Sequence, residues 1–91
     1  MSVNVRIPTQ LRSLTGEAAE LTVDPGTVGE VLAGLDVAHP GMGERLFDTD
    51  GTLRRFVNVF VADEDIRFLQ GLETPVTSGQ TVSIVPAVAG G

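Results

Sequence analysis

The chain has no cysteine, lysine, tryptophan or tyrosine, and one histidine, His39. Without cysteine there are no disulfides, zinc–thiolate sites, iron–sulfur clusters or thiol nucleophiles within the chain. His39 stands beside Pro40 with no evident serine or cysteine partner, so it makes no catalytic constellation and reads as structural or solvent-facing. No apolar run approaches the ~20 residues of a membrane span. Residues Met1 to Arg6 lack the basic and apolar regions of a secretory signal, so a cytoplasmic location is expected. No phosphate-binding loop and no Gly-x-Gly-x-x-Gly opening a helix occurs.

All six basic residues are arginine; against 12 acidic residues they leave a net charge of −6. Nucleic acid and anionic membranes would repel such a surface, whereas a protein partner with a basic docking face suits it. The acidic runs do not read as metal sites. Asp63-Glu64-Asp65 fits a solvated turn whose carboxylates diverge. Asp48-Thr49-Asp50-Gly51 starts like a calcium loop, but the closing twelfth position is Val59 rather than glutamate. No catalytic residue and no metal are expected.

With 91 residues the chain is long enough for one domain with one core. Val3, Val5 and Ile7 alternate with Asn4 and Arg6, which predicts a half-buried strand ended by Pro8. Residues 9–16 read as a turn, and Ala19, Leu21 and Val23 as the second strand of a hairpin. Asp24-Pro25-Gly26 breaks it. Thr27-Val28-Gly29-Glu30 has the form of a capping box, and Val28, Val31, Leu32 and Leu35 then form one apolar helical face over residues 28–38. Gly34 flanks that stripe, where close packing on a sheet is the expected reason for a glycine.

Residues 42–47 can add a turn through Met42, Leu46 and Phe47. Leu53 to Ala62 carries the strongest strand signal: Val57, Val59 and Val61 toward the helix, Phe56 and Phe60 on the other face. Asp63-Glu64-Asp65 should turn the chain into a short strand, Ile66-Arg67-Phe68. Gly71 to Gly79 reads as irregular, and Thr81 to Val85 as the last strand with Val82 and Ile84 inward. The order ββαβ…β predicts an α+β fold with a helix on one sheet face.

The final stretch, Pro86-Ala87-Val88-Ala89-Gly90-Gly91, follows a strand and carries no charged side chain. Two residues without Cβ atoms can thread a narrow site closed to larger ones. The chemistry that fits is a reactive terminal carboxylate on Gly91. At neutral pH such a group is ionised and a poor electrophile, so it needs activation, and adenylation by ATP is the usual route. Nothing in the chain suggests ATP binding, so a second protein must supply it. From Val88 onward, four extended residues reach ~13 Å, enough to enter a buried active site.

The segment order, the stretch Gly71-Leu72-Glu73-Thr74-Pro75-Val76 and the end Val85-Pro86-Ala87-Val88-Ala89-Gly90-Gly91 resemble the ubiquitin-like sulfur carrier family of ThiS/MoaD type. That family includes the thiamine sulfur carrier and the small molybdopterin-synthase subunit. Within it, Arg55 to Val61 and Asp63 to Phe68 look most like the actinobacterial carrier of cysteine biosynthesis, of CysO type.

The resemblance implies a β-grasp fold: a mixed four- to five-stranded sheet with one main helix on one face. It divides the chain into a domain, residues 1–86, and a flexible tail, residues 87–91. It implies that Gly91 bears the adenylate and then the thiocarboxylate. Ala87, Val88, Ala89 and Gly90 would thread into partners, and Phe60 and Phe56 are candidate docking residues. The chain itself would be a protein co-substrate rather than an enzyme and would bind no cofactor. ATP would be consumed by an E1-like adenylating enzyme of MoeB/ThiF type. Further implied partners are a sulfur donor or sulfurtransferase, an acceptor synthase such as a pyridoxal-phosphate-dependent cysteine synthase, and a metallopeptidase that releases product. Cysteine, molybdopterin, thiamine and a thiosugar stay open as destinations of the sulfur. A ubiquitin-like modifier or interaction module without sulfur transfer is the alternative.

Overall fold

Alternating apolar residues pull five strands into one sheet in the computed structural model, which describes residues 2–55 and 57–86. The strands of that sheet are β1 (Val3–Arg6), β2 (Glu20–Val23), β4 (Val57–Val61), β5 (Glu64–Asp65) and β7 (Thr81–Pro86). They lie in the order β2-β1-β7-β4-β5. The β1–β7 pair is parallel and the other pairs are antiparallel. Two short strands, β3 (Gly26–Thr27) and β6 (Pro75–Val76), form a separate antiparallel pair.

One face of the main sheet is closed by helix α1 (Val28–Ala38). Val28, Val31, Leu32 and Leu35 are buried there with Val3, Val5, Val59 and Val82. The predicted capping box is present: the Thr27 hydroxyl accepts from the Glu30 N–H at 3.2 Å, and Glu30 Oε1 accepts from the Thr27 N–H at 2.9 Å. These bonds satisfy two donors that would otherwise be left free at the start of the helix. Gly26 makes room for them, because a Cβ there would lie 2.7 Å from Glu30 Oε1. The helix, the Val57-Val59-Val61 face, the inward Val82 and Ile84, and the alternation of β1 follow the sequence reading. A helix held across a mixed sheet whose centre is a parallel pair of first and last strands is the β-grasp arrangement.

Other segments depart from expectation, each for a local reason. Residues 9–16 are not a plain turn. Thr9–Thr15 forms a 3-10 helix that packs Leu11 and Leu14 on the core and stops at Gly16, in the left-handed region at φ 64°. A repeat of three residues suits the leucine spacing. The second strand begins at Glu20, one residue after the exposed Ala19.

The predicted strand from Leu53 is shorter. The Arg54 N–H donates to the Leu46 carbonyl at 2.9 Å, which ties residues 53–54 to helix α2 (Met42–Leu46). Within α2, Met42 and Leu46 are buried, while Phe47 is half-buried against the core. Asp63-Glu64-Asp65 is only partly a turn. The reversal falls at Ala62 and Asp63, at φ 50° and 71°, and Glu64–Asp65 pairs with β4.

Ile66–Phe68 is a 3-10 turn rather than a strand. The Asp65 carboxylate accepts from the Arg67 N–H at 2.9 Å, so a side-chain cap takes the place of a ladder bond. The stretch expected to be irregular holds a 3-10 turn, Gly71–Glu73, and β6. Gly34 has no tertiary packing reason: it is exposed, and a Cβ there would meet nothing within 4 Å.

Candidate functional site

β7 is the central strand that leads to the predicted reactive end. Its register against β4 runs from Val61↔Val82 to Val57↔Pro86, so the pairing continues to Pro86 itself. Ala87, Val88, Ala89, Gly90 and Gly91 lie outside the described residues, as does Phe56. What can be built is therefore the root of the tail and its surroundings.

On the outer edge of β4, away from β7, the Val57 carbonyl takes an Arg67 guanidinium N–H at 3.4 Å, and the same nitrogen donates to the Arg55 carbonyl at 3.3 Å. Arg67 thus binds the first residues of β4 to the turn after β5.

The face of the sheet away from α1 follows from the same register. Glu20, Arg6, Ser83, Phe60 and Asp65 form one row across the five strands. Val85 and Asn58 begin the next row toward the root. Phe60 sits on this open face, as predicted, and is half-buried. Val85 is 45% exposed, although it belongs to the most central strand. Together they give the open face apolar surface close to the root.

Little here suggests chemistry performed by the body of the protein. Among the described residues, no group of three or more His, Asp or Glu side chains is arranged to hold a metal. His39 closes α1 through its backbone, its N–H donating to the Leu35 carbonyl at 2.8 Å. The Asp48 carboxyl titrates below its ordinary value, chiefly because it accepts the Asp50 N–H. It lies in an exposed loop and is not part of the root. No described helix is long and apolar enough to cross a membrane.

Sequence reasoning singled out Phe60 but missed Arg55, Arg67 and Val85. The two arginines stand either side of β4 in the chain, and only the 3-10 turn brings Arg67 back to the strand. An outward valine one residue before a proline was the one available signal for Val85.

A family model described as the ThiS family matches residues 5–91. The chain is 46% identical over 93 residues to the sulfur carrier protein CysO of Mycobacterium tuberculosis, covering 100% of both chains. It is similar to a chain in the crystal structure of the Amycolatopsis orientalis BexX/CysO complex, with 45% identity and a TM-score of 0.91, over 98% of this chain and 99% of that one. It is also 38% identical over 68 residues to small archaeal modifier protein 3 of Haloferax volcanii, covering 75% of this chain and 73% of that protein.

Proposed function

The chain belongs to the ThiS family, and from that premise we propose that it is a CysO-like sulfur carrier that bears sulfur on the C-terminal carbonyl of Gly91. The observation that carries this reading is the register of β7. The central strand keeps its pairing with β4 as far as Pro86, so Ala87 to Gly91 follow in sequence directly from a paired strand. A rigid body with a short extension of small residues suits a group that must enter another protein's active site.

The cycle balances as follows. The Gly91 carboxylate attacks the α-phosphorus of ATP on an E1-like enzyme and pyrophosphate leaves. Sulfide, HS⁻, from the sulfur donor then attacks the carbonyl of the acyl adenylate, AMP leaves and a proton is lost, so the carboxylate becomes a thiocarboxylate. Its sulfur attacks an electrophilic acceptor. The cysteine branch is favoured by the likeness to CysO. There the acceptor is held by a pyridoxal-phosphate-dependent synthase, an acyl shift places the product in an amide, and a metallopeptidase hydrolyses it free. Ala87, Val88, Ala89 and Gly90 thread into these partners, and Phe60 docks against them. The chain acts as co-substrate throughout.

Intact-mass spectrometry tests this directly. Incubation of the full chain with its adenylating enzyme, ATP and sulfide should add the mass difference of one sulfur for one oxygen. Deletion of Gly91 should abolish the shift while the circular dichroism spectrum stays unchanged. A shift that persists after the deletion refutes the assignment. The likeness to a small archaeal modifier protein favours a second reading, attachment to other proteins. That reading predicts lysine-linked adducts on target proteins. It cannot produce lysine-linked polymers of this chain, which has no lysine.

A further inference from the structure

Three of the chain's six arginines, Arg54, Arg55 and Arg67, line one slot of about 460 Å³ beside the first half of β4. Apolar residues line it as well: Val57 and Val59, both buried, and the half-buried Leu72. No carboxylate is among its described lining residues, in a chain with 12 acidic side chains. A larger groove of about 1230 Å³ lies near α2 and the 47–51 loop. It mixes Asp36, Glu44 and Asp48 with Arg45 and Arg54, and so selects no single sign of charge. The slot is a local reversal of the overall acidity.

We propose that the slot docks an acidic segment of a partner protein, a carboxylate meeting Arg55 and Arg67 while an apolar side chain packs on the half-buried Leu72. Arg54 donates to the Glu44 carbonyl at 3.1 and 2.9 Å, and Arg67 donates to the Arg55 and Val57 carbonyls. Those acceptors are neutral, so the bonds position the side chains without cancelling their charge; Arg54 also lies within the field of the Asp48 carboxylate, which leaves Arg55 and Arg67 as the pair for a docking carboxylate. A fixed guanidinium loses less entropy when it binds, and its planar donors match a carboxylate.

The geometry also says how the segment binds. Among the described residues β5 pairs only with Phe60 and Val61, and no described strand covers the outer edge of β4 at residues 57–59. Arg67 occupies the carbonyls of Arg55 and Val57, which blunts the edge against strand addition. The occupant therefore enters by its side chains and not as a sixth strand. Val57 is the register partner of Pro86, so a protein bound here is placed at the root of the tail. The inference concerns this second contact point and does not depend on what Gly91 carries.

The test needs no loaded tail. The ¹⁵N-labelled full chain is titrated with the acetylated, amidated peptide Glu-Leu-Asp-Leu-Glu, with its counterpart carrying lysine for each acid, and with ATP. The acidic peptide should shift the amides of Val57, Val59, Arg67 and Leu72, and high salt should abolish the effect. Arg55→Glu should weaken binding about tenfold or more, and Arg55→Gln by less, whereas Arg6→Glu on the open face should change it no more than about twofold. The proposal is overturned if the lysine peptide binds equally well, if the shifts fall elsewhere, or if none appear through the millimolar range. ATP reproducing the shifts where the peptide fails would make the slot a phosphate site and would equally overturn it.

Discussion

The two faces of the five-stranded sheet are built by the same strands and obey opposite rules. On the side of α1, Val5, Val82 and Val61 stand in one row and Ile84 and Val59 in the next, each no more than 4% exposed. On the other side, the row between them holds Glu20, Arg6, Ser83, Phe60 and Asp65. The closed face is uniform because apolar area removed from water stabilises the fold whatever its detail. The open face mixes charge, hydroxyl and aromatic groups, and among the described residues Phe60 and Val85 bring large apolar side chains to it near the tail root. Burial is thus concentrated on one side of the sheet, and the other side, where docking through Phe60 is proposed, can be altered separately.

The sharpest way to break that contrast is at the closed face. Leu32 is fully buried at the centre of α1, and Leu32→Ala should cost about 2–5 kcal/mol through lost burial and the cavity left behind. Urea unfolding would read this as a lower midpoint; a loss below about 1 kcal/mol would mean that α1 does not govern stability. Phe60→Ala tests the other side. A half-buried ring on the open face should cost less, about 1–2 kcal/mol. It should also raise the carrier concentration that half-saturates the adenylating enzyme. If Phe60→Ala destabilises as much as Leu32→Ala and leaves that enzyme unaffected, the division between the faces fails.

What the sequence made legible follows the same contrast. The closed face could be read because burial imposes periodicity: two in Val57-Val59-Val61, and 3.6 in Val28, Val31, Leu32 and Leu35. Thr27 and Glu30 fixed the start of α1 through a local bond pattern. Elements set by tertiary contacts could not be read. β3 and β6 have two residues each, too few to show alternation, and they pair across about half the chain, Gly26 with Val76 and Thr27 with Pro75. Ile66-Arg67-Phe68 has strand-like composition, but the Asp65 cap decides its conformation. The slot arginines come from residues 54, 55 and 67 and meet only through that turn. Phe60 on the open face was legible from alternation alone, whereas Phe56 and Ala87 to Gly91 lie outside the described residues.

The smallest expected effect lies away from both faces and serves as their control. Asp48 accepts N–H bonds from Asp50 at 3.0 Å and Thr52 at 3.4 Å, and its two oxygens accept the Thr52 hydroxyl at 3.1 Å each. The Asp50 N–H is the largest cause of its lowered pKa; Thr52 adds to it, and the Arg54 charge contributes least. A carboxylate held below its ordinary value of 3.8 adds stability that is fully present above that value and is lost as pH falls through the folded value. Asp48→Asn keeps an acceptor oxygen but removes the charge. Its melting temperature should therefore fall slightly below that of the parent chain at pH 7, and the gap should close as pH falls below the ordinary value of 3.8 and through the folded value. High salt should leave most of the gap in place, because hydrogen bonds outweigh the Arg54 attraction. A gap that widens on acidification, or one that salt erases at pH 7, would reverse this ordering of causes and make the loop an ion pair rather than a hydrogen-bonded turn.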